Sequence, residues 1–389
     1  MITLALAGKP NCGKSTFFRA ATLAPAEIAN YPFTTIDANF GVAFTRTRCP
    51  CKSLNIPCGS CLDGVRYVPV NLVDVAGLVP DAHKGRGLGN QFLDNLRQAD
   101  AILHIVDASG SADSEGNPLD IGSHDPKKDV VFLDYEMTMW IYGILDKHWA
   151  KLQRQAQSKT SLLHKGISEV LTGLGITPED VRDAEETAEI DLTHADADAL
   201  IKFCREISRI SKPMVPVGNK VDQAPQSLVD ALKSDGFLFA SAAGELALRN
   251  AAQAKIVRYL PGDPTFSLVN EQALSAPQKA GLAKIAGVMQ KYGGTGVQQA
   301  IDHAIRHVLG LIVVFPVEDE HKFSDSKGRV LPDAFLMKKG STPRDLAFMV
   351  HTDIGKGFLY AVDARTKMRV KDTHELQEGD VIRIVSTAK

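Results

Sequence analysis

The sequence predicts an α/β fold: a mainly parallel sheet flanked by helices, with a helical insertion and a C-terminal β-rich module carrying one helix. Three observations predict it. Apolar strand patterns alternate with helical stretches through residue 106. Between about Pro126 and Ser211 strand-like alternation stops and apolar residues recur at helical spacing. From about Leu311 onward the pattern shortens into strands separated by turns such as Glu378-Gly379-Asp380.

Taken in order, Ile2 to Ala7 reads as a strand, Lys14 to Thr22 as a helix, and Val68 to Val73 and Ala101 to Val106 as strands. Gly110 to Asp125 is rich in Ser, Gly, Asp and Pro and reads as a loop. Phe132, Tyr135, Met139 and Tyr142 share helical spacing; two further helical runs follow, and Pro178 to Asp198 is acidic. The sheet resumes at Pro213 to Val217 and near Phe237 to Ala240. Helical pattern returns from Gly244 to about Gly310, broken by Pro261, Pro264 and Gly293-Gly294-Thr295-Gly296. Leu311 to Val317, Val330 to Met337, Gly357 to Asp363 and Val381 to Val385 are the final strands, with a helix at Thr342 to His351. The expected organisation is an α/β domain from 1–125 and 212–310, a helical insertion at 126–211, and a β-rich domain at 311–389.

Composition sets the class. At 389 residues the chain exceeds the size of a single growing core. With 44% hydrophobic and 23% charged residues it reads as a globular protein. A net charge of −2 provides no global basic field, so any contact with nucleic acid must come from a local patch. No apolar run approaches the ~20 residues that span a bilayer. Met1 to Leu6 lacks a basic leader and reads as a buried strand, so the expectation is a cytoplasmic protein with no membrane partner.

The motifs carry the chemistry. Gly8-Lys9-Pro10-Asn11-Cys12-Gly13-Lys14-Ser15, followed by Thr16, matches G-x-x-x-x-G-K-[ST] between a strand and a helix. Its backbone N–H groups surround phosphates, Lys14 supplies positive charge, and the Ser15 hydroxyl is placed to ligate Mg²⁺. Asn219-Lys220-Val221-Asp222 follows an apolar strand. Asp222 can accept two hydrogen bonds from guanine, which adenine cannot offer, and the Lys220 stem can pack along the base. Ser241-Ala242 can present a backbone N–H to the guanine carbonyl. Asp74, in Asp74-Val75-Ala76-Gly77, can hold Mg²⁺ through water, and the Gly77 N–H can sense a γ-phosphate. Thr35, in Tyr31-Pro32-Phe33-Thr34-Thr35, is the expected last Mg²⁺ ligand. Both segments are expected to act as switches.

These residues together resemble the Obg-related P-loop GTPases, most closely the archaeal branch of the YchF group, over nearly the whole chain. The marks are Gly8 to Thr16, Asn30 to Thr35, Asp74 to Val79 and Gly85 to Leu93. Phe335 to Ala347 resembles a TGS module, a ubiquitin-like β-grasp also found in threonyl-tRNA synthetases. The resemblance implies a P-loop G domain, slow GTP hydrolysis, and a role on the ribosome or in translation-linked stress control. Some members of the wider group prefer ATP through a divergent base motif; this chain keeps Asn219, Lys220 and Asp222.

Where Ras-like proteins place a water-orienting glutamine, this chain has Leu78. Three groups are candidates for the missing work. Asn11 resembles an asparagine that ligates K⁺ in related GTPases, His83 lies in the second switch, and His104 is a polar residue in an apolar strand. Separately, Cys49-x-Cys51-x₆-Cys58-x₂-Cys61 gathers four thiols, a reasonable ligand set for one zinc ion. The segment from Lys338 to Lys371 carries eight Lys or Arg against three Asp, a basic face able to meet RNA phosphates. A nucleotide-dependent RNA- or protein-binding adaptor is the alternative to a hydrolytic switch, and an ATPase a further one.

Overall fold

The computed structural model describes residues 1–23, 35–37, 39–75, 96–156 and 160–387. They form two compact units: residues 1–23, 35–37, 39–42, 71–75, 96–156 and 160–300 in one, 43–70 and 301–387 in the other.

The first unit is built on a parallel sheet. β1 (Thr3–Ala7) lies between β4 (Val65–Asp74) and β5 (Ala101–Asp107), and β6 (Met214–Asn219) and β7 (Leu238–Phe239) extend it, all parallel. At the other edge, β3 (Phe40–Arg48) lies beside β4 and pairs antiparallel with the short β2 (Thr35–Asp37). β5 is buried at every position, as a central strand covered on both faces must be. α1 (Lys14–Thr22) follows β1 and buries Phe17, Ala20 and Ala21.

The expected helical insertion is present, but not as a separate unit. α3 (Lys127–Ala156), numbered after a short α2 (Pro50–Leu54), is one continuous helix shared by two cores. Its early residues Leu133 and Met137 pack with Ala5, Val73 and Ile102 of the sheet. Its later residues Ile141, Leu145 and Trp149 pack with α4 (Thr160–Val170), α5 (Pro178–Thr187) and α6 (Ala197–Ser211). The buried stripe therefore runs Leu133-Met137-Ile141-Leu145-Trp149, not along the expected Phe132-Tyr135-Met139-Tyr142. Tyr135 is exposed and Tyr142 donates its hydroxyl to Asp146, because phenols favour the wet boundary and leave the seam to apolar side chains. Between β6 and β7 lies α7 (Gln226–Ser234); after β7 come α8 (Ala242–Gln253), a small β8–β9 pair (Val257–Arg258, Ser267–Leu268), α9 (Ala276–Tyr292) and α10 (Val297–His303). The β8–β9 pair falls in a stretch expected to be helical; Pro261 and Pro264 lie in its connection.

The second unit holds a mixed five-stranded sheet, order β11-β10-β14-β12-β13. β10 (Leu311–Val317) runs parallel to β14 (Val381–Ser386). β11 (Phe335–Lys338), β12 (Phe358–Asp363) and β13 (Met368–Val370) pair antiparallel to their neighbours. α11 (Pro343–Val350) buries Leu346 and Ala347 with Val314, Met337, Phe358 and Ile382. This is a β-grasp. A capping box starts α11: the Thr342 side chain accepts from the Asp345 N–H, and Asp345 returns the bond. A second short helix, α12 (Thr352–Lys356), and β13 were not expected, while the expected strand from Val330 begins only at Phe335. Residues 43–70, expected within the α/β domain, group with this unit because Cys49, Cys51 and Val68 share its core with Val313, Phe315 and Val381.

Candidate functional site

The parallel strands bring their carboxyl ends to one edge of the sheet, the usual place for a ligand in an open α/β fold. β1 runs into the phosphate loop, β4 ends at Asp74, β5 at Asp107 and β6 at Asn219, and Ser241 follows β7.

The phosphate loop is locked by two close approaches. A Cβ on Gly8 would lie 2.3 Å from the Ile105 carbonyl oxygen, at φ +157. A Cβ on Gly13 would lie 2.3 Å from Asn219 Nδ2, and Gly13 caps α1 at φ +90 in the left-handed region. The loop thus opens onto a helix N-terminus, which favours anions. Lys14 Nζ lies 2.8 Å from Asp74 Oδ1, and Ser15 Oγ donates to Asp74 Oδ2 at 3.1 Å. A hydroxyl and a carboxylate facing each other are the hard oxygen donors that suit Mg²⁺. Thr16 follows in the first turn of α1. Burial first of all raises the Cys12 thiol, to about 11, so it stays protonated and inert.

At the base end, Asn219 Nδ2 donates to the Cys12 carbonyl and the Ala242 N–H donates to Asn219 Oδ1, both at 3.0 Å. One carboxamide therefore ties the phosphate loop to the loop after β7. The Ala242 N–H, expected to meet the guanine carbonyl, is engaged by this bridge; Ala243 is the neighbour that lines the adjoining cavity. That cavity, about 160 Å³, is bounded by Asp222, Ser241, Gly244 and, from α9, Lys284 and Ile285. Asp222 Oδ1 accepts from Ser241 Oγ at 2.8 Å, which aims the carboxylate. Lys220 sits at φ +60, and its Nζ is held 2.9 Å from Asp107 Oδ2, fixing the stem that was expected along the base. Burial pushes Asp107 up, but hydrogen bonds from Ser109, Lys220 and Ser111 outweigh it and hold the carboxyl below its usual range.

Around this frame lie contacts the motifs did not disclose. Lys9 is buried, paired with Asp129 of α3 at 2.9 Å and donating to the Ala112 carbonyl. Asn11, at φ +61, donates Nδ2 to the Gly116 carbonyl at 2.8 Å. Lys9 and Asn11 thus fasten the loop after β5 against the phosphate loop. That loop's Ser-Gly-Asp-Pro composition marked it only as irregular. Behind the base loop, Glu245 is fully buried and accepts from Arg249, Tyr259 and Thr295. The Thr295 carbonyl in turn accepts the Ser241 N–H at 2.8 Å.

The remaining candidates separate. His104 lies in β5 opposite Ala7 and Pro216, and is 3% exposed. Burial and then the Lys9 charge drive its pKa down to about 3, so it is a neutral core imidazole and not a group free to swing toward a phosphate. Thr35 begins β2 opposite Gly41. Gly77 and His83 lie outside the described residues, as do Leu78, Asn30 to Thr34 and Gly85 to Leu93. The sulfurs of Cys49, Cys51, Cys58 and Cys61 gather within 4.8 Å of one another. All eight basic residues of the C-terminal segment are exposed, and three lie over rings: Arg344 over Phe358, Lys367 over Phe323 and Arg369 over Tyr360. Among the described residues no helix is long and apolar enough to cross a membrane.

A G-x-x-x-x-G-K-[ST] phosphate loop, an aspartate hydrogen-bonded to its Lys14 and Ser15, and an Asn-Lys-x-Asp motif on one sheet edge are the marks of a GTP-binding protein of the P-loop class. Three family models match: a 50S ribosome-binding GTPase over residues 3–134, an Obg-like GTPase YGR210-like, G4 motif-containing domain over 217–319, and a TGS domain over 327–386. An uncharacterized GTP-binding protein of Methanocaldococcus jannaschii is 47% identical over 100% of both chains. A crystal structure of a GTP binding protein from Pyrococcus horikoshii superposes with a TM-score of 0.78 at 41% identity, covering 99% of this chain and 100% of that one. A ribosome-binding ATPase YchF of Bacillus subtilis is 28% identical over 92% of this chain and 87% of its own length. The chain belongs to the Obg-related GTPases of the YchF type that carry a C-terminal TGS domain.

Proposed function

We propose that the chain hydrolyses GTP to GDP and phosphate as a Mg²⁺-dependent switch in the cytoplasm, and that its TGS domain meets ribosomal RNA or protein. The observation that carries the reading is the Asn219 bridge, which joins a phosphate end (Lys14, Ser15, Asp74) to a base end (Asp222, Ser241). Mg²⁺ would be held by Ser15 with Asp74 behind a water, and by Thr35 when the γ-phosphate is present. Gly77 would sense that phosphate. Lys14 would leave Asp74 for the β- and γ-oxygens and draw charge from the leaving group. With Leu78 in place of a glutamine, K⁺ held by the amide oxygen of Asn11 would supply the extra positive charge, since Nδ2 is turned to Gly116. His83 remains a second candidate for orienting the water.

ATP hydrolysis is the second reading, because the Bacillus subtilis relative is named an ATPase. Asp222 opposes it: adenine lacks the paired N1–H and N2–H₂ donors, so the half-buried carboxylate would lose the two bonds guanine offers and keep only the one from Ser241. The deciding experiment is steady-state hydrolysis of GTP and ATP, in K⁺ and in Na⁺, with and without ribosomes, for the wild type and Asp222→Ala. GTP preference that Asp222→Ala abolishes is the expected outcome. Equal use of ATP by the wild type refutes the guanine reading. Turnover indifferent to ribosomes favours a nucleotide-dependent adaptor.

A further inference from the structure

We propose that Cys49, Cys51, Cys58 and Cys61 hold a structural zinc ion that fastens the segment between β3 and β4 onto the C-terminal sheet.

Four sulfurs within 4.8 Å of one another fit one tetrahedral centre, since Zn–S bonds of about 2.3 Å give sulfur–sulfur edges of about 3.8 Å. The nearest pairs are Cys51 with Cys61 at 3.5 Å and Cys49 with Cys58 at 3.9 Å. Each pair joins one half of the segment to the other, so a single ion closes both halves together. Both separations are far from the 2.05 Å of a disulfide. All four positions are filled by thiols, which leaves no open site and makes the centre structural.

The backbone is prepared for it. Cys49 is the N-cap of α2, and its N–H donates to the Gly64 carbonyl at 2.8 Å, drawing the segment's two ends together. The Ser60 N–H donates to Cys58 Sγ at 3.4 Å, the kind of amide contact that steadies a thiolate ligand. Arg66, 6% exposed, donates to the Ser60 carbonyl and places a positive charge beside a centre whose four thiolates and Zn²⁺ sum to −2.

The same groups reach the C-terminal sheet. Arg66 also donates to the Leu331 and Pro332 carbonyls, and Cys58 Sγ approaches the Val330 carbonyl at 3.8 Å. Cys49 and Cys51 pack with Val313, Phe315 and Val381. Between β3 and β4 the sequence has one five-residue helix, too little to hold its shape by apolar burial alone. A metal staple supplies that order, and β4 carries on from it to Asp74.

The test is elemental analysis of the purified full-length chain under reducing conditions, then titration with a mercurial while released metal is followed by a chromogenic chelator. One zinc per chain, released as the four thiols react, is expected. The double variant Cys58→Ser/Cys61→Ser should lose the metal, become open to protease cleavage between residues 49 and 64, and keep wild-type GDP affinity. Four reactive thiols with no metal, iron with its visible charge-transfer colour, a disulfide found by mass analysis, or zinc retained by the double variant would each overturn the proposal. Should the variant fail to fold, the wild-type stoichiometry and mercurial release decide alone.

Discussion

Asn219→Ala tests the central bridge most directly. The side chain is 2% exposed and makes two buried bonds of 3.0 Å, one to the Cys12 carbonyl and one from the Ala242 N–H. Removing the carboxamide strands both backbone groups, at about 1–3 kcal/mol each, hence about 2–6 kcal/mol together. The vacated space can admit a water that re-satisfies part of the loss, which places the expectation near the lower end. Equilibrium urea unfolding without nucleotide should show a lower midpoint. Because Cys12 leads into Lys14 and Ala242 borders the base cavity, GDP affinity should fall as well. A loss of about 2 kcal/mol corresponds to roughly 30-fold. Asn219→Asp keeps an acceptor for Ala242 but turns an oxygen toward the Cys12 carbonyl, so it should bind GDP no better than the alanine variant. An alanine variant with unchanged midpoint and unchanged GDP affinity would refute the idea that this residue holds the two loops in register.

Three further outcomes follow from the same geometry. His104 is neutral when folded, with its pKa near 3, and is protonated below about 6.5 when unfolded; stability should therefore fall as pH drops from about 6.5 toward 3, by up to about 1.4 kcal/mol per pH unit from this group. His104→Leu should remove that slope in urea midpoints measured across the range. Glu245→Leu leaves the Arg249 guanidinium buried without its carboxylate and should cost about 3–5 kcal/mol in unfolding free energy, while Glu245→Gln, which still offers an acceptor, should cost less. Asn11→Ala should abolish stimulation of GTP turnover by K⁺ over Na⁺ and leave GDP affinity near wild type; persistent K⁺ stimulation would move the burden to His83.

Most of the fold was legible because its elements obey simple periods. β1, β5, β6 and β10 are short apolar runs beside turn residues, and Thr342-Pro343-Arg344-Asp345 spells a capped helix start. The misses have specific causes. In α3 two apolar stripes share helical spacing, and Leu133, Met137, Ile141 and Leu145 form the buried seam instead of Phe132, Tyr135, Met139 and Tyr142. β3, Phe40–Arg48, was not expected: Val42, Ala43, Phe44 and Thr45 are buried in succession, so no period-2 alternation marks the strand. The grouping of residues 43–70 with the C-terminal sheet depends on contacts between segments more than 240 residues apart, which no local pattern encodes.

The site divides along the same line. Motif residues bind groups that every such protein must bind, so fixed chemistry at fixed spacing discloses them. Lys9, Asp107, Asp129 and Glu245 pair with other parts of this chain, and a single sequence carries no mark of those pairings. The contrast between His104 and Asn11 shows why residue type alone misleads. Both are polar residues near the sheet's carboxyl edge, and both were candidates for replacing the glutamine. β5 is a central strand covered on both faces, so burial keeps His104 uncharged and fixed. Asn11 stands in the phosphate loop at positive φ, exposed, with its amide nitrogen committed to Gly116. That commitment sets the side chain's orientation before any ligand arrives, and an acceptor oriented in advance is what a weakly held cation such as K⁺ requires.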